Sequence, residues 1–316
     1  MPLFLALAGW VPHIACAQVA GDAAVQAQWF TGSLAAPSPA LPKAGLLAIE
    51  PYVVYEDNTG VYDNSGRSHS SRNDVRQDDS VTVFKYGITN RLSIEALPSW
   101  ARVWKDQTRA TGVGDLPMEL EYRFNDENNR TGFPSVTAVV GVTLPLGHYD
   151  RLKSPLDGLG SGAYTIKEGI LLQSLFDTWG HHPMRWRFYG AAFEPSSEVS
   201  VTDTSVYGTT QGFRGRGMPG FSSEFGVGAG YGLDQRWVLA FDFVQKFSDG
   251  SRIRGIDASG SSVNTTAAHS ARTSVAPAVE YNFSGRIGVI AGVEFSVAGR
   301  NTASYVAPQI ALSMAF

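Results

Sequence analysis

From residue 45 to the last residue, apolar side chains return at every second position over one short segment after another. A period of two belongs to strands whose two faces meet different surroundings, because successive side chains point to opposite sides. Leu47, Ile49, Pro51, Val53 and Tyr55 alternate with Glu50, Tyr52 and Glu56. The pattern recurs in Thr82/Phe84/Tyr86/Ile88, Leu92/Ile94/Ala96/Pro98/Trp100, Met118/Leu120/Tyr122/Phe124 and Pro134/Val136/Ala138/Val140/Val142/Leu144. It continues in Ile166/Ile170/Leu172/Phe176 and, more briefly, in Trp186/Phe188/Gly190/Ala192. Phe225 to Leu233, Trp237 to Phe243, Val275 to Phe283, Val289 to Val297 and Val306 to Phe316 complete about twelve segments. Each is long enough to cross a bilayer as a tilted strand, and no comparable stretch of helical period interrupts them.

Alternation alone also fits a soluble β-sandwich. Three further features favour a membrane barrel. Short turns at Thr89-Asn90-Arg91, Asp234-Gln235 and Ser284-Gly285 alternate with long polar connections at 58–79, 146–162, 195–220 and 248–272. That asymmetry is expected of an outer-membrane barrel, with long loops outside and both termini on the periplasmic side. Tyr55, Trp100, Phe124, Phe176, Trp186, Trp237 and Phe283 stand at the ends of apolar rows, where interfacial girdles form. The chain ends on Phe316, and a terminal aromatic on an alternating strand resembles the signal read by the bacterial barrel-assembly machinery. The predicted fold is all-β: a transmembrane, antiparallel, up-and-down β-barrel of about 12 strands over residues 45–316, in contact with outer-membrane lipid.

Composition closes other routes. Charged residues make up 17% of the chain, below the roughly 25% usual in soluble domains. The net charge of -4 leaves no basic footprint for nucleic acid. Residues 1–14 are apolar and uncharged apart from His13, and Ala15-Cys16-Ala17 has the small-x-small form of a signal-peptidase site. Residues 1–17 are therefore expected to be a signal peptide, though the usual positive n-region is missing. Cys16, the sole cysteine, lies within it, so the mature chain would hold no disulfide or thiolate site. Residues 18–44, with Pro37, Pro39 and Pro42 among Ala and Ser, read as a flexible periplasmic lead-in with no core of its own.

The residues between the apolar ones should point into the lumen. From the first strands they are Glu50, Lys85 and Glu95, with Glu119, Glu121 and Arg123 following. From the second half come Arg185, Arg187, Glu224, Arg236, Asp242, Lys246, Glu280 and Glu294; Glu56 and Arg91 follow the same alternation. Acidic and basic groups are nearly balanced, so they would pair across the interior. Two readings follow: a wall stabilised by internal ion pairs, or a polar pathway filtering solutes by charge and size.

Several short motifs resemble a known family. Tyr86-Gly87-Ile88-Thr89-Asn90-Arg91-Leu92 resembles its YGxTxRL turn. Gly112-Val113-Gly114-Asp115-Leu116 with Glu121-Tyr122-Arg123-Phe124 resembles its GxGDL…KYRF strand. Pro134-Ser135 leading to Gly141-Val142-Thr143-Leu144-Pro145-Leu146-Gly147 resembles its PS…GxxLPTG strand end, with Leu146 where threonine is usual. The family is the outer-membrane barrel "transporter" family known as meta-pathway of phenol degradation. The resemblance is clearest over 81–147. It implies an outer-membrane channel, sometimes encoded near aromatic-compound degradation, and it carries over no binding residue.

Barrel enzymes form the competing class. A phospholipase-type site needs Ser and His within reach on neighbouring strands. His69, His148 and His269 fall in expected outer loops, and His181-His182 in a periplasmic turn. His148 and Asp150, at an outer rim, would suit omptin-like proteolysis only if both faced one cleft. Two adjacent histidines without further spaced ligands are not a metal site. Asp57-Asn58-Thr59-Gly60 and Asp63-Asn64-Ser65-Gly66 lack the spacing and closing Glu of a calcium loop and read as turns. Gly158-Leu159-Gly160-Ser161-Gly162 lacks the strand–helix context of a nucleotide loop. The expected function is non-enzymatic and without cofactor or metal: passive uptake of small solutes, aromatic or hydrophobic compounds among them. The alternative is a structural or receptor-like barrel that binds a partner through its outer loops. An open lumen favours the first, and a lumen plugged by 18–44 or by the loop at 146–162 favours the second.

Overall fold

A computed structural model describes residues 28–70, 75–128, 131–178 and 182–316. The alternating segments form twelve antiparallel strands closed into one barrel. They are β1 (Leu47–Tyr62), β2 (Arg76–Gly87), β3 (Leu92–Ala96 and Ser99–Lys105) and β4 (Thr108–Val113 and Leu116–Asn125). Next come β5 (Ser135–Leu144), β6 (Thr165–Asp177), β7 (Pro183–Pro195) and β8 (Ser222–Gly232). The last four are β9 (Trp237–Ser248), β10 (Ser270–Ser284), β11 (Ile287–Arg300) and β12 (Thr302–Ala315). β7 runs for 13 residues, so the segment that reads as short in sequence is a full crossing strand. β1 closes the ring by pairing with β2 on one edge and with β12 on the other. The closure ends on the last residue. Leu47 N donates to Phe316 O at 3.1 Å, and Phe316 N donates to Leu47 O at 2.9 Å.

The expected facing holds around the wall. Val53, Leu239, Phe241 and Ile310 are exposed on the outer surface, while Ala48, Val81, Val238 and Ala311 are buried within. In hydrocarbon these outer rows need no partner, whereas backbone amides do, and the continuous ladder of a closed barrel supplies them. Aromatic pairs mark the short-turn end. Trp237 and Tyr281 have ring centroids 4.6 Å apart, and Tyr122 and Phe124 are 5.2 Å apart. Phe225 and Phe247 do the same near the other end. The protein is thus an outer-membrane β-barrel. One outward position breaks the apolar row: Glu168 stands exposed between Ile166 and Ile170. It is the fourth residue of β6 from the outer end. Near an interface a carboxylate costs little, about 0–1 kcal/mol.

The connections divide as loop-length parity requires, with two tight exceptions. Residues 63–70, 145–164, 196–221 and 249–269 lie at one end, but so do the hairpin turns at Asp106-Gln107 and Asn301. Asp106 and Asn301 have φ of 52° and 49°, the left-handed values such turns need. The first outer loop is shorter than the alternation implies. Asp57 to Gly60 are not a turn but part of β1, which continues above the membrane with a bulge between Asn58 and Gly60. Asp63 does make a turn: its Oδ1 accepts from Ser65 N at 2.7 Å and Arg67 N at 3.0 Å. At the periplasmic end Asp234 accepts from Arg236 N and Trp237 N, both at 2.8 Å, and these bonds hold its carboxyl below the usual range.

The proposed signal peptide lies outside the described residues, as do residues 18–27. Residues 28–44 depart from a flexible lead-in. They form no strand, yet they run inside the barrel, with Thr31, Ser33, Leu34, Ala36 and Ala40 all buried. The reason is geometric. β1 starts at the periplasmic end, and a barrel of this width encloses space that side chains of the wall do not fill.

Ile310 lies on the lipid face of the closing strand, paired with Val53 on β1 and Ala291 on β11. Ile310→Arg should cost roughly 2–4 kcal/mol in the bilayer and reduce the heat-modifiable, folded band in membrane fractions. Thr266→Arg, in an exposed outer strand, should leave that band unchanged.

Candidate functional site in the lumen

The lumen contains chain as well as side chains. Residues 28–44 enter from the periplasmic end, where Trp29 N donates to Gln235 O at 3.2 Å and Asn282 Nδ2 donates to Trp29 O at 3.1 Å. They return to the same end, where Ala44 N donates to the turn residue Asn90 Oδ1 at 3.1 Å. Between these points the backbone has no sheet partner, so its amides need other acceptors. Glu280 Oε2 accepts from Thr31 N at 2.7 Å. Asp242 Oδ2 accepts from Leu34 N and Ala35 N, both at 2.9 Å. Tyr52 donates its hydroxyl to Ser33 O at 3.3 Å. Farther along, Arg123 Nη2 donates to Pro39 O at 3.1 Å.

Glycines on the lumen face make the room. A Cβ at Gly292 would meet Leu34 Cδ2 at 2.8 Å, one at Gly288 would meet Thr31 Oγ1 at 2.2 Å, and one at Gly87 would meet Lys43 O at 2.3 Å. Phe30 lies beside Gly230 and packs with Leu175 and Val238. The Arg185 guanidinium sits 4.4 Å from the centre of its ring, a cation–π contact.

The same carboxylates are paired with arginines of the wall. Arg185 Nη2 lies 3.1 Å from Glu280 Oε1 and donates to Gly32 O at 2.7 Å. Arg187 Nη2 lies 3.6 Å from Asp242 Oδ1. All four side chains are fully buried. A second group surrounds Lys85, whose Nζ is 3.0 Å from Glu95 Oε2 and 2.8 Å from Glu121 Oε2. Lys167 Nζ bonds Glu119 Oε1 at 2.7 Å. This group lines a small pocket with Pro37 and Ser38. Oxygens of Glu95, Glu119 and Glu121 lie within 4.8 Å of one another, as metal ligands would. Each of the three already has an ammonium partner, Lys85 or Lys167, which makes this an ion-pair cluster rather than a cation site. Toward the outer end Lys246 Nζ is 3.3 Å from Glu224 Oε2, and Glu294 Oε1 accepts from Tyr305 and Ser274 hydroxyls at 2.6 Å. Glu50 accepts from the Ser313 and Tyr52 hydroxyls.

Of the expected lumen residues, all but three of the block running from Glu50 to Glu294 are buried inside. Arg123 and Lys246 are half-buried, and Arg236 is a correction: it stands exposed on the turn between β8 and β9, one position before the strand begins. Arg91 is likewise exposed on the turn after β2. Lys167 and Arg272 are lumen charges that the alternation passes over. Lys167 shares the inward parity of β6 but is masked by Glu168 beside it. Arg272 precedes the apolar row of β10, and its guanidinium lies 4.7 Å from the Tyr305 ring.

Residues 145–164 fold over the outer end against the neighbouring strands. Asp115 fastens this loop at both ends, accepting from Gly147 N at 3.0 Å and from Ser161 N at 2.8 Å. Leu156, in a 3₁₀ turn capped by Ser154, packs with Val75, Val103 and Ala110 on the rim of β2, β3 and β4. The GxGDL and LPLG motifs thus meet at one carboxylate. His69 lies in a three-residue outer strand, 2.8 Å from Asp63, and Asp150 accepts from Thr202 N.

No protein-family model and no curated relative matches the chain, so the phenol-pathway family name stays a resemblance. Solved structures do match. The chain is similar to the COG4313 outer membrane channel from Pseudomonas putida F1, with a TM-score of 0.61 and 18% identity over 88% of this chain and 97% of that one. Looser likenesses are the translocator domain of autotransporter NalP from Neisseria meningitidis (TM-score 0.46, 11% identity, 87% and 90% covered) and the Ralstonia pickettii toluene transporter TbuX (0.40, 12%, 87% and 90%). The first of these likenesses agrees with a twelve-strand barrel fold.

Removing one member of a buried ion pair leaves charge without compensation, at about 3–5 kcal/mol. Lys85→Met should therefore lower the urea midpoint of the refolded barrel strongly. The triple change Lys85→Met, Glu95→Gln, Glu121→Gln should recover most of that loss, because no net charge is then stranded.

Proposed function

We propose that the protein is a passive outer-membrane channel for small solutes, aromatic and hydrophobic compounds among them, and that its own residues 28–44 close it. The observation that carries this reading is how the lumen charges are paired. Arg185 on β7 meets Glu280 on β10, Arg187 on β7 meets Asp242 on β9, and Lys85 on β2 meets Glu95 on β3 and Glu121 on β4. Each pair joins wall to wall. Withdrawal of the segment would break the bonds between segment and wall but leave every one of these wall-to-wall pairs in place, so no wall charge would be stranded. The wall carries glycine where the segment lies.

The position of Phe30 supports an aromatic solute. Gly230, Leu175, Val238 and the Arg185 guanidinium already accommodate one aromatic ring. A solute ring would find the same surroundings once the segment leaves. The filled lumen and the loop over the outer end both favour the alternative, a barrel that binds a partner from outside; the wall-to-wall pairing of the lumen charges is what sets the channel reading ahead of it. The C-terminal Phe316, exposed at its side chain, serves in this reading as the signal for the assembly machinery.

Planar-bilayer recording separates the readings. Deleting residues 18–42 should raise single-channel conductance severalfold. A crosslink should do the reverse: a Cβ at position 288 would lie 3.2 Å from Thr31 Cβ, within reach of a disulfide after slight adjustment. Thr31→Cys with Gly288→Cys, oxidised, should hold conductance at its lowest until a reductant is added. Unchanged conductance in the deletion would remove the channel in favour of the receptor. Phe316→Ala keeps the backbone bonds to Leu47, so it should lower barrel assembly in cells and leave refolding in detergent unchanged.

A further inference from the structure

Above the membrane, the connections 196–221 and 249–269 build a second sheet of four antiparallel strands: Val199–Thr202, Arg214–Met218, Arg252–Ile256 and Ser262–Thr266. Its two faces differ, although Ile256 and Met218 share the polar one. Val199, Val201, Ile253 and Val263 take one face, where Tyr207, Phe213 and Tyr149 pack. Glycines let these rings approach closely: a Cβ at Gly217 would meet Tyr207 at 3.0 Å, and one at Gly255 would meet Phe213 at 2.6 Å.

The opposite face carries Arg214, Arg216, Arg252 and Arg254, all exposed. Register sets Arg216 directly opposite Arg254, with Arg214 and Arg252 on the diagonals. Like charges facing each other across a strand pair destabilise it. Solubility does not require them, since the edge strand meets water with Ser262, Asn264 and Thr266. Among the described residues a single acidic side chain answers the four. Glu198 Oε2 lies 2.5 Å from Arg254 Nη2, and no ion pair joins the other three. This concentration stands on a chain whose net charge is -4.

The direction of the face follows from what covers its back. Tyr149 and Ala163 belong to the loop 145–164, which also packs on Val75 and Val103 at the rim of β2 and β3. Arg151 N and Leu152 N of that loop donate to Thr202 O and Thr204 O, joining it to the edge of the sheet. With its apolar face covered by this loop, the sheet turns its arginines the other way, exposed at the outer end of the barrel. The outer leaflet of this membrane is a phosphorylated glycolipid. Guanidinium groups bind phosphate through paired, charge-assisted hydrogen bonds, and a phosphate between Arg216 and Arg254 would turn their repulsion into a shared contact.

We propose that the Arg214/Arg216/Arg252/Arg254 face docks the phosphate groups of the outer-leaflet glycolipid. The inference rests on the barrel's place in the outer membrane and does not depend on conduction. The full-length protein in detergent would be titrated with rough-type lipopolysaccharide and with the same material after dephosphorylation. Dephosphorylation should weaken binding strongly. Arg214→Gln, Arg216→Gln and Arg252→Gln together should weaken it about a hundredfold, as three arginines near an anionic lipid surface would. Heat-modifiable migration checks that this variant is folded, and Arg216→Lys with Arg254→Lys, a second variant, should lose part of the affinity while keeping the charge. Arg67→Gln with Arg109→Gln, exposed at the same end but outside the sheet, should bind as the parent does. Equal loss in that control would mean attraction to net charge and overturn the assignment. So would indifference to dephosphorylation, or equal binding of soluble polyphosphate, which would assign the face to a free anion.

Discussion

A backbone amide exposed to hydrocarbon has no partner but another backbone, and the rest of this structure depends on that. The constraint demands a closed ring, so β1 must find β12 at the end of the chain, and Phe316 must meet Leu47. Closure with twelve strands encloses a space too wide for wall side chains to fill. The interior is therefore an obligation as well as an opportunity. It is met by folding the chain's own leading segment into the lumen and by surrounding it with ionised side chains.

Burying that many charges is costly, and geometry decides whether the cost is met. In this barrel each buried arginine or lysine of the lower lumen faces a carboxylate on another strand, and some carboxylates have a second lone pair left over. Those lone pairs hold the segment. Asp242 accepts from Leu34 and Ala35 while facing Arg187, and Glu280 accepts from Thr31 while facing Arg185. One set of ion pairs thus stabilises the wall and fastens a removable piece of chain.

The short motifs gain a physical meaning from the same arrangement. Gly87 lets Lys43 pass, Thr89 accepts from Arg91 N and Leu92 N to make the turn, and Asn90 catches Ala44. Glu121 pairs with Lys85, and Arg123 holds Pro39. Asp115 fastens Gly147 and Ser161. These residues lie at two places, the periplasmic entry of the segment and the loop over the outer end.

The sequence by itself determined the strands, their number, which side chains face lipid and which end carries the long loops. These are local matters, since a side-chain period of two and the chemistry of turns are read within ten residues. It could also name most inward charges, failing where a strand boundary was misjudged, as at Arg236, or where a row was broken, as at Lys167. It did not disclose that Asp57 to Gly60 continue a strand, because pairing with β12 overrides their turn propensity. It offered 18–44 as one of two possible plugs but could not decide whether the lumen is filled. Residues 28–44 have no periodicity, and their partners lie far off in the chain: Thr31 and Glu280 are 249 residues apart. Only the closed barrel brings them together, because the acceptors for those amides do not exist as a set until the ring has formed.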